Sequence, residues 1–330
     1  MTPFAYRRAE SLDDAILAAG EPGTALLAGG TTLVDLMRGE VAAPSHVVDI
    51  GRLPGLDQVE VTPQRLRIGA LAKMADVAEH DVIRRDYPAL SESLQQAASQ
   101  QLRNMATVGG NVLQRTRCGY FRDGRSACNK RTPGSGCSAL DGANREHAVL
   151  GTSEACIATY PGDWGVALAA FGAEVEVASS DGRRTVPFEE LHREPGDRPD
   201  RETNLYPGDV ITAILIPATP LGRRSVYLKV RDRQSYAFAV ASAAVALQIE
   251  GGRVEDARIA LGGVATRPWR SREAEATLRG RPFTDALTLE AGRVAFADAR
   301  ARGENRVKLT LGPRVVTRAL ITAASREAMP

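Results

Sequence analysis

The sequence predicts an α+β protein with two domains, a mixed N-terminal domain and a C-terminal antiparallel sheet backed by helices. Apolar runs at residues 25–28, 47–50 and 66–70 have the length of buried strands, and helical patterns alternate with them. Near residue 220 the composition changes, and three strand patterns follow one another before helical stretches complete the chain. We therefore expect the domains at residues 1–220 and 221–330.

Local signals place the individual elements along the chain. Ser11 and Asp14 have the spacing of a capping box, with Asp in place of Glu, and predict a helix directly after them. Asp181 and Gly182 between two alternating runs predict a hairpin. Residues 190–205 are polar and contain proline, so we expect a surface loop there. The predicted N-terminal elements are helix 11–19, strand 25–28, helix 33–38, strands 47–50 and 66–70, helices 74–79, 90–102 and 164–171, hairpin 173–186 and strand 210–217. The predicted C-terminal elements are strands 225–232, 240–249 and 257–264, followed by three helical stretches to residue 328.

Composition and charge exclude several classes of function. The chain has 330 residues, enough for two or three hydrophobic cores. Its net charge of +2 gives no electrostatic footprint for nucleic acid. No apolar run approaches the roughly 20 residues of a membrane span. Arg7 and Arg8 are followed by polar residues where an export signal needs an apolar segment, so we expect no signal peptide of the chain's own.

Two glycine-rich turns are candidates for phosphate binding. Gly29 and Gly30 follow a predicted strand and precede a helix, and the second turn spans residues 107–111. Glycine lets a phosphate approach the backbone, and N–H groups at a helix start point toward an anion. Neither turn is a P-loop or a G-x-G-x-x-G fingerprint, and a plain turn more often explains Gly-Gly alone. Two such turns in one domain favour a dinucleotide that spans both.

Other polar positions give weaker signals. Asp163 precedes a predicted helix, so its side chain either caps that helix or holds a ribose hydroxyl. The chain has no nucleophile elbow, zinc-protease helix or convincing Ser/His/Asp order. It therefore lacks the signature of a self-sufficient catalyst. The four histidines form no common pattern, and we expect surface or structural roles for His46, His80, His147 and His192.

All the cysteines of the chain lie in one basic, turn-rich segment between the second glycine turn and Asp163. The segment buries little apolar surface of its own, so something other than a hydrophobic core must fix its shape. Four thiolates on one inorganic centre would do so. The cysteines are Cys118, Cys128, Cys137 and Cys156, separated by nine, eight and eighteen residues.

Four explanations of these cysteines stay open. A structural zinc site is disfavoured by the absence of a C-x-x-C pair, and disulfides are more typical of small, cysteine-dense secreted proteins. Unrelated buried cysteines would sit in apolar runs, whereas three of these sit among Gly, Arg, Lys and Pro. Four thiolates match the ligand demand of a [4Fe–4S] cluster, whose negative charge nearby cations would offset. Those cations are Arg117, Arg122, Arg125, Lys130 and Arg131.

Together, these motifs resemble the FAD-binding subunit of molybdenum hydroxylases, the xanthine dehydrogenase and carbon monoxide dehydrogenase family. The resemblance covers nearly the whole chain in the family's order: residues 26–33, residues 107–111, Asp163, the strand that ends at Pro217, and residues 261–265. It implies a two-part FAD-binding domain of the vanillyl-alcohol-oxidase (PCMH) type, followed by an α+β domain with a three-stranded antiparallel sheet.

The resemblance also implies which residues contact FAD. The two glycine turns would hold the pyrophosphate and Asp163 the ribose, Ile211 would lie against the flavin, and Lys229 would reach the FAD. The implied cofactor-binding residues are Leu26, Leu27, Ala28, Gly29, Gly30, Thr31, Thr32, Leu33, Thr107, Gly109, Gly110, Asn111, Asp163, Ile211 and Lys229.

An insert at about residues 114–159 departs from the family's common pattern. It resembles the periplasmic aldehyde oxidoreductase branch, whose flavin subunit carries an additional [4Fe–4S] cluster, and Cys118, Cys128, Cys137 and Cys156 match the ligands of that cluster one for one. The resemblance implies a heterotrimer. A molybdenum-cofactor large subunit would oxidise an aldehyde, a [2Fe–2S] small subunit would relay electrons, and this chain would pass them through FAD to an external acceptor. Export with a signal-bearing partner would make it periplasmic; otherwise it would be cytoplasmic.

Two other classes of function remain alternatives at this point. A stand-alone flavin oxidase would need its own substrate pocket and base and no cysteine-held iron. An assembly subunit stapled by zinc or disulfides would carry no redox cofactor and would be colourless.

Overall fold

Three sheets organise the computed structural model, which describes residues 1–326. The first sheet is parallel, with strand order β1-β3-β2. Ser11 caps the first helix by accepting a hydrogen bond from the Asp14 N–H at 3.1 Å, as the sequence predicts. The elements of this part are β1 (Ala5–Arg8), α1 (Leu12–Gly20), β2 (Thr24–Leu27), α2 (Leu33–Arg38) and β3 (His46–Asp49).

The second sheet is antiparallel and has the order β4-β5-β8-β6-β7. Its central strand is the apolar run 210–217, which is buried up to its terminal proline because β5 and β6 flank it on both sides. The strands are β4 (Val59–Val61), β5 (Arg65–Gly69), β6 (Glu174–Ser179), β7 (Gly182–Pro187) and β8 (Val210–Pro217). The accompanying helices are α3 (Met74–Glu79), α4 (Asp81–Asp86), α5 (Pro88–Gln95), α6 (Gln100–Met105), α7 (Val108–Val112), α8 (Gly119–Arg122), α9 (Trp164–Ala170) and α10 (Phe188–Leu191).

The single helix predicted at residues 90–102 is wrong, because the chain breaks between α5 and α6. Ala98 has a φ of 48°, in the left-handed region that ends helices. Ser99 then caps α6 by accepting a hydrogen bond from the Leu102 N–H at 3.3 Å. The break frees the carbonyl of Gln96 from a helical bond, and that oxygen accepts a hydrogen bond from the Lys229 ammonium at 3.0 Å.

The third sheet forms the C-terminal domain and has the order β12-β11-β10-β9. Three of its strands are long, as predicted, and the fourth is a two-residue edge strand that pairs with Ala260 and Leu261. The last helix ends at Ala324. Residues 327–328 of the predicted helical stretch lie outside the described part of the chain. The elements are β9 (Ser225–Val230), β10 (Ala241–Glu250), β11 (Arg253–Gly262), β12 (Trp269–Arg270), α11 (Arg272–Leu278), α12 (Asp285–Val294), a 3-10 helix (Gly303–Arg306) and α13 (Val307–Ala324).

Polar side chains that bind backbone groups hold the insert at residues 114–159. The Arg131 guanidinium donates to the carbonyls of Tyr120 and Phe121, each at 2.8 Å. The side-chain oxygen of Asn144 accepts hydrogen bonds from two N–H groups at the 3-10 helix, at 2.9 and 3.3 Å. Apolar packing contributes as well, because Phe121 and residues 149–150 belong to hydrophobic clusters, so the insert buries more apolar surface than the sequence suggested.

Candidate functional site

The first glycine turn leaves a row of backbone N–H groups open. Gly30 has a φ of 74°, which favours glycine, and the turn connects β2 to α2. The N–H groups of residues 29–32 make no hydrogen bond to any residue within 1–326. Successive open N–H groups form a concave site that attracts an anion. This turn can therefore hold a phosphate in the way the sequence predicts.

The second glycine turn uses its N–H groups internally, which the sequence analysis did not foresee. The Gly109 N–H donates to the Ala70 carbonyl at 2.8 Å, and the Gly110 N–H donates to the Thr107 hydroxyl at 3.4 Å. A Cβ atom on Gly109 would lie 2.8 Å from the Ala70 Cβ. These two N–H groups are therefore already paired, and Gly109 packs closely against Ala70, whereas Gly110 is exposed.

A side-chain oxygen is the open acceptor of the second turn. Asn111 donates a hydrogen bond from Nδ2 to the Met74 sulfur at 3.4 Å. Its Oδ1 atom is buried and has no hydrogen-bond partner within the described residues. A buried amide oxygen without a partner costs free energy, so a ligand hydroxyl or N–H at this position would be stabilising.

The two turns touch although they are far apart in the sequence. A Cβ atom on Gly29 would lie 2.2 Å from the Met105 carbonyl oxygen and 2.9 Å from the Ala106 Cα. Only glycine permits this approach of two backbones. The turns consequently form one continuous surface.

A cavity of about 700 Å³ opens beside this surface, against the loop at residues 231–239 of the C-terminal domain. Its size is that of a cofactor pocket. The predicted FAD contacts that line it are Thr31, Thr32, Asn111, Asp163 and Lys229. The other predicted contacts lie outside this lining: Leu26, Leu27, Ala28, Gly29, Gly30, Leu33, Thr107, Gly109, Gly110 and Ile211. Ile211 belongs to the same core cluster as Val108 and Val112.

Asp163 forms a buried ion pair rather than a helix cap. Its carboxylate accepts hydrogen bonds from the Lys229 ammonium at 2.7 Å and from the Tyr227 hydroxyl at 2.5 Å, and it makes no capping bond to α9. Burial raises the pKa of Asp163 and lowers that of Lys229, while the attraction between the two groups opposes both shifts. The pair gives the cavity wall a fixed polar patch.

Cys118 lines the same cavity, and its thiol interacts electrostatically with Cys128 and Cys156; Cys156 in turn interacts with Cys137. Cys128 and Cys137 lie opposite each other in an antiparallel bridge. Burial, with a smaller contribution from neighbouring cysteines, raises the pKa of the Cys118 thiol to about 12 and that of Cys156 to about 11. No group of three or more His, Cys, Asp or Glu side chains has metal-binding geometry among residues 1–326.

Sequence reasoning missed one contact of these cysteines. The Nε2 atom of His147 lies 3.1 Å from the Cys118 sulfur, and the ring is buried in the cavity wall. Burial lowers the pKa of His147 to about 4, so the ring is neutral at pH 7. The two residues are far apart in the sequence and share no motif, so no local signal could have revealed the contact.

The predicted loop at residues 190–205 lies at the surface, with many exposed residues, and one side of it packs against the insert. Glu202 accepts a hydrogen bond from Arg115 and pairs with Lys130 at 3.3 Å. Lys130 also donates to the Pro199 carbonyl at 3.0 Å. A second cavity of about 450 Å³ lies between the loop and the insert.

Comparison with known protein families shows to which family this chain belongs. Residues 2–219 match the FAD binding domain in molybdopterin dehydrogenase, and residues 226–323 match the CO dehydrogenase flavoprotein C-terminal domain. The chain belongs to the molybdopterin dehydrogenase FAD-binding subunits. It is thus an oxidoreductase subunit that binds FAD, and the predicted fold class is confirmed.

Individual members of the molybdopterin dehydrogenase family align over almost the full length. The aldehyde oxidoreductase FAD-binding subunit PaoB of Escherichia coli is 46% identical over 329 residues, covering 99% of this chain and 100% of that protein. The glyceraldehyde dehydrogenase medium chain of Sulfolobus acidocaldarius is 28% identical over 86% of this chain and 84% of that protein. The carbon monoxide dehydrogenase structure from Hydrogenophaga pseudoflava superposes with a TM-score of 0.78 at 27% identity, covering 99% of each chain.

The geometry of the site fits the FAD of this family. The open N–H groups of the first turn suit a phosphate, and the unpartnered Asn111 oxygen and the Asp163 patch suit hydroxyl or N–H donors. The individual FAD contacts stay predictions. None of the helices within residues 1–326 is both long enough and apolar enough to cross a bilayer.

Proposed function

We propose that this chain is the FAD- and [4Fe–4S]-binding electron-transfer subunit of a molybdenum-dependent aldehyde oxidoreductase. It would work in a heterotrimer, where a molybdenum-cofactor large subunit oxidises the aldehyde and a [2Fe–2S] small subunit relays electrons to it. It would deliver them to an external acceptor. The 46% identity to PaoB over the full length supports the aldehyde, and the position of Cys118 in the flavin cavity wall supports the cluster.

The chemistry of the cysteines fits an iron–sulfur centre. Sulfur ligands must be thiolates, and the raised pKa values of Cys118 and Cys156 mean that these thiols stay protonated unless positive charge is close. Iron supplies that charge, and it would hold together four side chains that the insert already brings near one another. The residues that would bind it are Cys118, Cys128, Cys137 and Cys156.

Several basic residues of the insert are bound to other groups or exposed to solvent. Arg131 is occupied by backbone carbonyls, Lys130 by Glu202 and the Pro199 carbonyl, and Arg125 is exposed. Lys130 still acts on the Cys156 thiol through its charge, and the His147 ring contacts the Cys118 sulfur.

The chain's own part in electron transfer is to position the flavin and exclude water from it. FAD supplies the conversion between one-electron delivery and two-electron discharge. The buried Asp163–Lys229 pair lines the cavity together with Tyr236 and Phe238 of the loop at residues 231–239. A periplasmic location, reached by export with a signal-bearing partner, is part of the proposal and is tested by cell fractionation.

Counting cofactors in the anaerobically purified complex tests the proposal. We expect FAD, together with about four irons and four sulfides per copy of this chain beyond those of any [2Fe–2S] partner. Flavin without this additional iron would contradict the cluster and leave zinc or disulfides for the cysteines.

A cysteine substitution tests whether the insert binds the additional iron. Cys118→Ser should remove the additional iron and sulfide and leave FAD bound. Thr132→Ser changes an exposed side chain of the same segment and should keep both. Retention of the full iron count in Cys118→Ser would defeat the ligand assignment.

A further inference from the structure

Two arginines of the insert meet one carboxylate beside the first glycine turn. Arg117 donates from Nη1 to the Asp35 Oδ2 atom at 2.9 Å, and Arg122 donates from Nη2 to the same oxygen. Asp35 lies in the first turn of α2, directly after the open N–H groups. Two guanidinium groups on one carboxylate leave a net positive charge at this point.

Each of these guanidinium groups also carries an unused donor. Arg117 Nε and Arg122 Nη1 are buried and have no hydrogen-bond partner within residues 1–326. Burial and the neighbouring Arg122 lower the pKa of Arg117. A buried charged donor without a partner is costly, so the arrangement is favourable only if an acceptor completes it. The ring of Phe238, 5.0 Å from the Arg117 guanidinium, holds that side chain in place.

The position of the arginines indicates which acceptor completes them. Arg117 and Arg122 line the 700 Å³ cavity together with Thr31 and Thr32, whose backbone N–H groups are open. These guanidinium groups and backbone N–H groups lie in the same part of the cavity. Together they suit a group with several oxygen acceptors and more than one negative charge. In FAD, only the pyrophosphate has that character.

We propose that Arg117 and Arg122 bind the pyrophosphate of FAD, so that the insert completes the phosphate site beside the first glycine turn. This inference needs only the FAD binding of the family and does not depend on the proposed cluster. It gives the insert a second task, because the same stretch that carries Cys118 also contacts the cofactor. A well-ordered insert then raises the affinity for FAD, and bound FAD stabilises the conformation of the insert.

Titration of the purified, FAD-depleted complex tests this assignment with FAD and ADP as probes. Arg117→Gln and Arg122→Gln should each weaken FAD binding about tenfold or more, the usual effect of a lost charge-assisted hydrogen bond. ADP keeps the pyrophosphate but lacks the flavin, so its affinity should fall by a similar factor. A loss for FAD with none for ADP would place the arginines at the flavin end and overturn the assignment.

Three further variants separate phosphate binding from a structural role. Arg122→Lys keeps the charge and should retain more affinity than Arg122→Gln. Asp35→Asn removes the competing carboxylate and should raise the affinity, whereas a loss equal to that of the arginine variants would show that the ion pair merely supports the fold and would overturn the proposal. Arg125→Gln, on the exposed face of the same segment, is the control and should bind FAD normally. Iron and sulfide counts for each variant show separately whether the cluster is present.

Discussion

At the scale of single residues, the Asp163–Lys229 pair places two buried charges in the cavity wall. The Lys229 side chain is fully buried, and Asp163 is 4% exposed. Removing two charges from water costs several kcal/mol per ion unless they are close and fully hydrogen-bonded. Here Tyr227 and the Gln96 carbonyl complete the pair. Loss of either partner would leave an uncompensated buried charge.

Lys229→Met should destabilise the subunit by about 3–5 kcal/mol, because Asp163 then remains buried without its counter-charge. The double variant Lys229→Met/Asp163→Asn should regain most of that stability. It should still bind FAD poorly if Asp163 holds the ribose, as the sequence predicts. Thermal unfolding and flavin content per chain measure the two effects separately. Full flavin content in the double variant would argue against the ribose assignment.

At the scale of the elements, the two glycine turns have different physical tasks. The turn between β2 and α2 exposes its N–H groups to the cavity. The turn that begins α7 donates its N–H groups to the carbonyls of residues 70–72, which follow β5, and packs against Ala70. Their shared requirement is a backbone approach too close for a Cβ atom, and Gly29 is where the two elements meet.

Gly29→Ala should push the turns apart and lower FAD affinity at least tenfold, because a Cβ atom 2.2 Å from the Met105 carbonyl cannot be accommodated without a backbone shift. Gly39→Ala is the matched control at the other end of α2, where the new atom would lie 3.6 Å from the Asp35 carbonyl. FAD titration of the two variants checks this. Equal affinity in both would mean that the contact between the turns is not needed for binding.

At the scale of the whole molecule, buried polar side chains join the insert to the C-terminal domain. Lys308 of α13 is fully buried and donates hydrogen bonds to the carbonyls of Glu146 and Gly263, at 2.8 and 2.6 Å. Burial lowers its pKa to about 7. A neutral amine still donates both bonds, so the contact persists when the charge is lost.

The buried lysine makes stability depend on pH. Between pH 7 and about 10.5 the unfolded chain binds a proton at Lys308 that the folded chain does not, so Lys308 favours folding increasingly as pH rises through this window. Lys308→Met removes this dependence. The free energy of unfolding of the unsubstituted protein, relative to that of Lys308→Met, should therefore rise from pH 7 to 9. The rise should be at most about 1.4 kcal/mol per pH unit.

Thermal unfolding of the purified complex across that range provides the measurement. Thr317→Val, on the same helix, removes one hydrogen bond to the Thr288 carbonyl without changing a charge and should cost the same at every pH. A constant difference for Lys308→Met as well would mean that the ammonium stays charged in the fold.

The fold class and most strands could be predicted from the sequence, because periodicity, capping residues and glycine turns are local signals. The family followed from the resemblance of the motifs in their order. Ser11 caps its helix as predicted, and the apolar run at 210–217 is the buried central strand. A local signal singled out Asp163, the family resemblance implied Thr31 and Asn111 as further site residues, and all three line the cavity.

Which polar atoms are open and which are already paired could be seen in the three-dimensional structure alone, because hydrogen-bond partners come from distant parts of the chain. The sequence could not show that Gly109 donates to Ala70, that Asp163 pairs with Lys229 instead of capping a helix, or that Arg117 reaches Asp35. It could not foresee the break at Ala98, where the left-handed backbone of a residue with high helix propensity depends on the surrounding contacts. A local pattern shows which polar groups a chain carries. Their ability to bind a ligand depends on whether the fold already supplies a hydrogen-bond partner.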